Sequence, residues 1–365
     1  MSAARIRAEI VVLARYGPRG ASSRLRLYQF IPALEGAGFR VTRRPMFSDA
    51  YVAARYRNPA AALASAAGAY VRRMGQLATL PLDAVLWVEY ELLPWLPYAV
   101  ERRLFDGSRP VVVEYDDAIF HRYDRSRSAA VRRWLGDKID RIMRAATLVV
   151  AGNAYLAERA RSAGARRVEI IPTVIDLGRY HRKEVFSPDS FTVGWIGSGS
   201  TIRYLESLLP VLAGIRDLPG FGVVNVGGSP WHPAGVPVKN VPWTEAGEVE
   251  AMQSFDVGVM PLPDDPWTRG KCGYKLIQYM GCGLPVIASP VGVNTTIVEP
   301  GENGFLAATP GEWTDALRRL AADPSLRAAM GARGREKVAR SYSVDAVTPV
   351  WVRLFEDLVT PARLA

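Results

Sequence analysis

Hydrophobic positions along the chain follow two alternating patterns: short runs of β-branched residues, and longer amphipathic stretches such as the Ala-rich segment 52–78. The short runs are typical of buried strands, and the stretches between them have the period of helices. In the first half we predict strands at 9–15, 39–44, 84–90, 110–116, 147–153 and 168–173. In the second half we predict strands at 191–197, 221–228, 256–262 and 284–290.

This alternation of strand and helix predicts two parallel sheets, each covered by helices on both faces. The expected fold class is α/β, with two Rossmann-like, doubly wound domains that face a cleft. A chain of 365 residues is long enough for two domains. We place the first domain at 1–176, a polar linker at 177–190, the second domain at 191–345 and a last helix at 346–365.

The composition excludes several classes of protein. No apolar run reaches the ~18 residues of a membrane span, and the first residues lack the pattern of a secretory signal. The two cysteines, Cys272 and Cys282, are too few for a disulfide framework, and with only three histidines there is no obvious metal-ligand spacing. We therefore expect a cytoplasmic protein.

The positive charge is concentrated in the first half of the chain. Residues 1–176 carry 28 basic and 17 acidic side chains, whereas residues 177–365 carry 18 and 19. A basic half suits an anionic partner, such as phosphates or an anionic membrane face, or it is a solvated surface without a partner. No nucleic-acid-binding module is found, so we expect no nucleic acid partner.

Each half begins with a strand, a glycine loop and a helix. The first loop contains Gly20, and Ser22 or Ser23 can cap the helix that follows. The second loop contains Gly197 and Gly199. Open amides at a helix N-terminus bind anions, so both loops are candidates to line a site, although each is also compatible with an ordinary tight turn.

A second unusual stretch, GKCGYKLIQYMGCGLPVIASPVGVN, combines two lysines with a helix start. If the helix begins near Lys271 or Tyr274, then Lys271, Lys275 and Gln278 share one face. Cations at a helix N-terminus are unfavourable, because the macrodipole is positive at that end. Their presence there therefore suggests that an anionic ligand binds among them. The alternative is a solvated helix face.

These stretches resemble a known family. The run KLIQYMGCGLPVIASPVGVNTTIVEPGENGFL resembles the C-terminal signature of family 4 retaining glycosyltransferases, which have the GT-B fold. Further similarity lies in IIPTVIDLGRY, in TVGWIGSGSTIRYLESLLPVLAGI and in DPSLRAAMGARGREKVARSYSVDAV. The resemblance covers about 200 residues, most of them in the second half.

The resemblance implies a GT-B enzyme that transfers a sugar, with retention, from a nucleotide-diphosphate sugar to a hydroxyl acceptor. The second domain would bind the donor, the first would bind the acceptor, and the last helix would cross back to the first domain. No metal or other cofactor is implied. Two alternatives stay open: a binding or scaffold protein that has lost catalysis, and a nucleotide-sugar epimerase on the same fold.

For the donor, the resemblance carries over residue by residue, with departures. The family's two glutamates fall on Gly270 and Gln278, and its diphosphate-binding Arg and Lys fall on Ser198 and Arg203. Trp243 stands where the family packs the nucleobase, or else it is a core tryptophan. The predicted diphosphate-binding residues are Gly197, Ser198, Gly199, Arg203, Lys271 and Lys275. The predicted sugar- and nucleoside-binding residues are Cys272, Gly273, Tyr274, Gln278 and Trp243.

For the acceptor, the stretch VVVEYDDAIFHRYD follows a strand where the family often places a histidine. Here Asp116 and Asp117 take that position, either to bind and deprotonate an acceptor hydroxyl or to cap a helix. The predicted acceptor-side residues are Gly20, Ser22, Ser23, Arg24, Glu89 and His121. The predicted catalytic residues are Asp116, Asp117, Arg203 and Lys271.

The acceptor stays open among a glycan, a lipid-linked glycan and a small molecule. Basic segments such as YVRRMGQLATL, at 70–80, would allow peripheral contact with an anionic membrane.

Overall fold

The computed structural model describes residues 7–51 and 59–360. Residues 1–6, at the start of the segment for which no secretory signal is expected, and residues 52–58 of the Ala-rich segment lie outside this range. The contact pattern divides the chain into two units. The first consists of Met1–Thr173 and Val347–Ala365, and the second of Val174–Ala346.

The first unit is built on a six-stranded parallel sheet in the order β2-β1-β3-β4-β5-β6. Its inner strands are runs of Val, Leu and Ile that are buried on both faces, as expected of a parallel sheet. The strands are β1 Glu9–Leu13, β2 Arg40–Arg43, β3 Val85–Glu89, β4 Val111–Tyr115, β5 Leu148–Ala151 and β6 Val168–Ile170.

Helices connect these strands. They are α1 Ala21–Arg26, α2 Ile31–Gly36, α3 Pro59–Ala78, α4 Tyr98–Glu101, α5 Ala129–Leu135, α6 Lys138–Ala145 and α7 Ala154–Ser162. Short 3-10 helices lie at Tyr28–Phe30, Arg102–Phe105 and Ile119–Arg122.

The second unit contains another six-stranded parallel sheet, in the order β12-β11-β10-β7-β8-β9. The strands are β7 Phe191–Ile196, β8 Phe221–Val226, β9 Val238–Val241, β10 Val257–Met260, β11 Val286–Ala288 and β12 Gly304–Leu306. Apolar side chains are buried in two clusters, one centred on Tyr279 and Phe255 and the other on Trp195 and Trp313.

Helices also connect the strands of the second unit. They are α8 Ile202–Glu206, α9 Leu209–Gly214, α10 Glu248–Gln253, α11 Pro266–Arg269, α12 Tyr274–Gly281 and α13 Asn294–Ile297. Three helices follow the last strand: α14 Pro310–Ala322, α15 Pro324–Ser341 and α16 Val344–Val359. Short 3-10 helices lie at Leu177–Arg179 and Gly199–Thr201.

Most of helix α16 belongs to the first unit. Trp351 on α16 is fully buried, and its ring centroid lies 4.6 Å from that of Trp87 on β3. Phe355 packs on both tryptophans. Truncation of such a buried tryptophan to alanine costs about 3–5 kcal/mol, so this helix is part of the core of the first unit.

The two parallel sheets confirm the predicted fold class, but two strands were missed. Strands β9 and β12 are the edges of the second sheet. Strand β9 has Lys239 and Asn240 at its centre, and β12 has only three residues, so neither is a long apolar run. The predicted linker 177–190 also differs from the structure, because it packs within the second unit. Its Tyr180 and Phe186 are buried in the core there.

Candidate functional site

The glycine loop after β7 lies at the carboxyl end of the second sheet. A Cβ atom on Gly197 would lie 2.3 Å from the Trp195 ring, so this position favours glycine. One on Gly199 would lie 2.7 Å from Ser229 Oγ, a contact that rotation of the serine hydroxyl could relieve. The amide of Ser198 donates to Thr201 Oγ1 at 3.2 Å, and the side chain of Ser198 is exposed. The loop is thus a tight, exposed turn that leads into α8.

Lys275 lies close to this loop. Its Nζ atom is 4.5 Å from the centroid of the Trp195 ring, the same ring that Gly197 contacts. Lys275 is partly buried, and it has no hydrogen bond and no acidic partner among the described residues. Burial, together with the charge of Lys271, lowers the pKa of the Lys275 ammonium to about 7. An anion bound here would favour the protonated form of Lys275 and would give it the negatively charged partner that it lacks among the described residues.

The predicted helix face is only partly correct. Helix α12 begins at Tyr274, because Gly273 before it adopts a left-handed conformation, with φ of 67°. Lys271 therefore lies in the preceding loop, where its amide donates to Thr268 O, and its Nζ atom is 6.0 Å from the Trp267 ring centroid. Lys271 and Lys275 are nevertheless close enough for their charges to interact.

Arg203 is exposed on α8, one turn beyond the glycine loop. Its guanidinium donates to Tyr204 Oη at 3.3 Å and lies 5.1 Å from that ring. Arg269, another cation of the same region, forms a bidentate ion pair with Asp264 at 2.6 and 2.9 Å. Arg203 thus has its charge available to a ligand, whereas the charge of Arg269 is already compensated.

Gly273 and Cys272 connect the loop that carries Lys271 to α12. A Cβ atom on Gly273 would lie 2.2 Å from Ile297, so glycine is required there by space as well as by its positive φ. Cys272 is 8% exposed, and Cys282 is fully buried, so neither thiol is on the surface. Cys272 and Gly273 could therefore contact a ligand through their backbone.

Trp243 belongs to the surface beside the glycine loop and is not a core tryptophan, since it is 42% exposed. A Cβ atom on Gly227 would meet both Trp243 Cβ, at 2.7 Å, and Gly197 O, at 2.6 Å, so Trp243 and the loop are neighbours. The Trp243 ring is held by its Nε1 atom, which donates to Glu248 at 3.0 Å.

Gln278 lies deeper than predicted. It is 2% exposed, and its amide nitrogen donates to Tyr180 Oη at 3.1 Å. The Tyr180 hydroxyl also lies 3.4 Å from Glu248 Oε1 and from Tyr274 Oη. Gln278 is thereby linked to Trp243 through Tyr180 and Glu248, two residues that the sequence analysis did not identify.

The first unit gathers its own polar cluster at the carboxyl ends of β1, β3 and β4. Ser22 Oγ lies 2.9 Å from Glu89 Oε1, 2.9 Å from Tyr90 Oη and 3.2 Å from Asp116 Oδ2. The Tyr90 hydroxyl also donates to Asp116. Two predicted acceptor-side residues, Ser22 and Glu89, are therefore brought together with Asp116, which was predicted to be catalytic. Tyr90 joins them without having been predicted.

Glu89 is the most deeply buried residue of this cluster. It is fully buried and accepts hydrogen bonds from Ser23 Oγ at 2.5 Å and from the Arg15 amide at 2.7 Å, in addition to Ser22. Burial raises the pKa of Glu89. Asp116 is only partly buried, so it is the carboxylate of the cluster that a substrate can reach.

Three other predicted residues of the first unit, His121, Arg24 and Gly20, have further contacts within it. His121 is held by Asp124, 2.9 Å from Nδ1, and by Tyr155, 2.8 Å from Nε2. Arg24 reaches Pro18 O at 3.5 Å, and Gly20 packs its Cα against Tyr16. His121 and Gly20 thus support the loops of this edge.

The segment 70–80 forms the last part of α3 and the turn after it. Val71 and Met74 are 75% and 50% exposed, and Arg72 is also exposed. Arg73 is instead 1% exposed, and its guanidinium donates to Ala14 O and Arg44 O. Only one of the two arginines that suggested membrane contact is therefore on the surface.

Neither a metal-binding cluster nor a membrane-spanning helix is found among the described residues. No group of three or more His, Cys, Asp or Glu side chains there could hold a metal ion. No helix in the same part of the chain is long and apolar enough to cross a membrane.

Comparison with known proteins places this geometry in context. Residues 191–323 match the family described as Glycosyl transferases group 1. The D-inositol 3-phosphate glycosyltransferase of Actinosynnema mirum is 25% identical over 214 residues, which cover 50% of this chain and 50% of the relative. The enzyme of the same name from Corynebacterium jeikeium is 33% identical over 88 residues, 24% of this chain and 21% of that relative. The chain thus spans about half the length of the first of these relatives and less of the second.

Solved structures extend the similarity over nearly the whole chain. Sucrose-phosphate synthase from Thermosynechococcus elongatus has a TM-score of 0.70 at 17% identity, covering 96% of this chain and 99% of that one. HepE from Anabaena, in complex with UDP and glucose, has a TM-score of 0.64 at 17% identity, covering 96% and 100%. At these identities the similarity establishes the fold, which is that of the GT-B glycosyltransferases.

Proposed function

We propose that the protein is a glycosyltransferase that moves a sugar from a nucleoside-diphosphate sugar to a hydroxyl group of an acceptor. The second unit would hold the donor. Its match to group 1 glycosyl transferases supports this assignment, as does its arrangement of cations beside a glycine loop. The first unit would hold the acceptor at the Asp116 cluster.

The proposal depends mainly on one observation: Lys275 is partly buried and has no acidic partner among the described residues. A partly buried ammonium without an acidic partner is unfavourable by itself, and a second lysine nearby increases the cost. A diphosphate that reached Lys275, Lys271 and Arg203 would remove that cost. The same charges would then stabilise the negative charge that develops on the leaving diphosphate.

The two family glutamates that fall on Gly270 and Gln278 limit what can be transferred from the resemblance. Gly270 has no side chain to offer a donor sugar, and Gln278 is committed to Tyr180. We propose that the exposed Trp243 ring, fixed by Glu248, packs on the nucleobase. Tyr274 and the backbone of Gly273 would complete the donor site.

In the proposed reaction, Asp116 accepts a hydrogen bond from the acceptor hydroxyl. The bond between the anomeric carbon and the diphosphate breaks, the acceptor oxygen bonds to that carbon, and the proton goes to the leaving phosphate or to Asp116. We expect retention of configuration and no metal requirement from the family resemblance alone.

Incubation with UDP-, GDP-, ADP- and dTDP-sugars tests the proposal, with release of the nucleoside diphosphate as the readout. UDP-glucose comes first, because HepE is solved in complex with UDP-glucose. We expect slow release of UDP and free sugar by hydrolysis without an acceptor. When an acceptor is added, UDP release should accelerate and the sugar should appear on the acceptor. An epimer formed without release of diphosphate would instead identify an epimerase, and nucleotide binding without any turnover would identify a scaffold protein.

Exposed Arg203 and partly buried Lys271 provide the corresponding variants. Arg203→Ala and Lys271→Ala should each weaken binding of the nucleoside diphosphate by about 1–3 kcal/mol, the scale of a hydrogen bond to a charged group. Unchanged affinity in both variants would remove these two side chains from the donor site.

Peripheral membrane contact stays a prediction that rests on the basic first half and the exposed face of α3. Flotation with phosphatidylglycerol vesicles tests it. We expect binding that weakens at high salt and in Val71→Ser/Met74→Ser, and failure to float with such vesicles would contradict it.

A further inference from the structure

The loop after β3, residues 90–97, contains two residues with unusual backbone conformation. Tyr90 and Trp95 have φ of 62° and 63°, and within the described residues they are the non-glycine positions with positive φ. A bulky side chain in this region costs about 1–3 kcal/mol, and such strain persists where the surroundings enforce it. Strain of this kind concentrates at sites that bind or react.

The surroundings of Trp95 enforce its position. Its amide donates to Tyr123 Oη at 3.0 Å, and the Tyr123 hydroxyl in turn lies 2.9 Å from both carboxylate oxygens of Glu91. Lys138 closes the arrangement, with Nζ 2.8 Å from Glu91 Oε2 and 3.1 Å from Glu101 Oε1. Buried charges thus hold a backbone amide of the loop.

The loop held in this way carries an exposed aromatic ring, that of Trp95. The Trp95 side chain is 52% exposed, although it packs edge-on against Tyr123 with ring centroids 5.2 Å apart. The loop residues Leu92 and Leu93, by contrast, are buried. Leu92 and Leu93 thus fix the loop in the core, whereas the large apolar side chain of Trp95 stays accessible to solvent.

The same loop also reaches the polar cluster. Tyr90 contacts Asp116 and Ser22, while Trp95 contacts Tyr123, which is seven residues beyond Asp116 in the next loop. The two loops therefore combine an accessible aromatic surface with hydroxyl and carboxylate groups at one edge of the sheet. A ligand that satisfies both needs hydroxyl groups around its rim and an apolar C–H face.

We propose that Trp95 is a stacking platform for a sugar ring of the acceptor, so that the acceptor is a carbohydrate. This inference rests on the proposed function for the existence of an acceptor. It adds the chemical class of that acceptor, which the cation site in the second unit does not define. A pyranose ring has the required shape, with C–H groups on its faces and hydroxyl groups at its edge.

An array that carries mono- to tetrasaccharide glycosides, phenols and fatty alcohols on the same linker tests the proposal. The full chain is applied in the presence of UDP, and the affinity for the best ligand is then measured by calorimetry. We expect binding to at least one glycoside. Trp95→Ala should weaken that binding about tenfold or more, while Trp95→Phe, which keeps an aromatic face, should retain most of it.

Trp134→Ala is the matched control, because Trp134 is a 69% exposed tryptophan on α5 of the same unit. It should bind the glycoside as the wild type does. Wild-type affinity in Trp95→Ala, binding of phenols or alcohols instead of glycosides, or no binding on the array would each overturn the inference. UDP affinity, measured in parallel, separates the two proposals. Loss of UDP binding with glycoside binding that still depends on Trp95 would reject only the donor assignment.

Discussion

The hydroxyl group of Tyr90 donates a hydrogen bond to Asp116, so a tyrosine with strained backbone orients the carboxylate that we place next to the acceptor. Burial, and then the charge of Asp116, raises the pKa of Tyr90 well above its usual value, so the phenol stays protonated and remains a donor at neutral pH. Tyr90→Phe should therefore lower kcat/KM for transfer about 10- to 100-fold, with UDP affinity unchanged.

Tyr98→Phe is the control for this substitution, because Tyr98 lies on α4 of the same unit and is not part of the cluster. Steady-state kinetics on both variants decide the matter. A Tyr90→Phe enzyme with the rate of Tyr98→Phe would show that the Asp116 contact plays no part in transfer.

Asp116→Asn removes the negative charge and keeps the size of the side chain. If Asp116 assists deprotonation of the acceptor, transfer should fall by about 10²- to 10⁴-fold, the range for a general base. Release of UDP by hydrolysis, without acceptor, should fall less. Equal losses in transfer and hydrolysis would indicate that Asp116 acts on the donor or on the fold instead.

The glycine loop of the second unit has a steric requirement that can be tested. Gly197→Ala places a methyl group where the Trp195 ring stands, so we expect a loss of about 1–3 kcal/mol in the free energy of unfolding and weaker UDP binding. Gly311→Ala is the matched control, since a Cβ atom there meets no other atom within 4 Å. Urea unfolding of both variants measures the difference, and equal stability would refute the steric argument.

Lys138 should be essential to the stability of the first unit. It is fully buried between Glu91 and Glu101, and Lys138→Met removes the cation nearest to both carboxylates, so that Glu91 keeps only the more distant Arg15, at 3.9 Å. We expect the free energy of unfolding to fall by about 3–5 kcal/mol, measured in urea. A loss below about 1 kcal/mol would mean that the two glutamates find other partners or bind a proton.

UDP binding should depend on pH through Lys275. In the free protein the pKa of Lys275 is lowered to about 7, and a bound diphosphate raises it, so binding above pH 7 requires uptake of a proton. Affinity should therefore decrease as pH rises from about 7.5 to 9, by up to about tenfold per pH unit. Calorimetry in buffers of different ionisation enthalpy measures the proton uptake, and a flat profile would contradict it.

The same shift has a consequence for stability. Because the unfolded chain keeps a normal lysine pKa, it binds more protons than the folded protein between about pH 7 and 10. The contribution of Lys275 to the free energy of unfolding should thus increase with pH across this window. Lys275→Met should abolish that contribution, as urea titrations at several pH values would show.

Much of the fold could be predicted from sequence because buried parallel strands are continuous apolar runs. Strands β9 and β12 could not, since β9 has Lys239 and Asn240 at its centre and β12 has only three residues. The start of α12 could not be decided from sequence either, because a helix could begin near Lys271 or near Tyr274. The left-handed Gly273 decides between them, and its conformation depends on tight packing against Ile297.

The candidate site was found in part. Ser22, Glu89 and Asp116 follow from the rule that loops at the carboxyl ends of strands meet at one edge of a sheet. Tyr90 was missed because a positive φ at tyrosine has no sequence signal. Tyr180 was missed because its partner Glu248 lies 68 residues away along the chain, and pairing at such a distance is visible only in the structure.

Affinity for UDP in Lys275→Met tests the account most directly. Lys239→Met, at an exposed position on β9 in the same unit, is the charge-matched control. We predict that Lys275→Met weakens UDP binding about 10- to 100-fold in calorimetry at pH 7, whereas Lys239→Met stays within about twofold of the wild type. UDP binding by Lys275→Met that equals the wild type would contradict the assignment of the donor site.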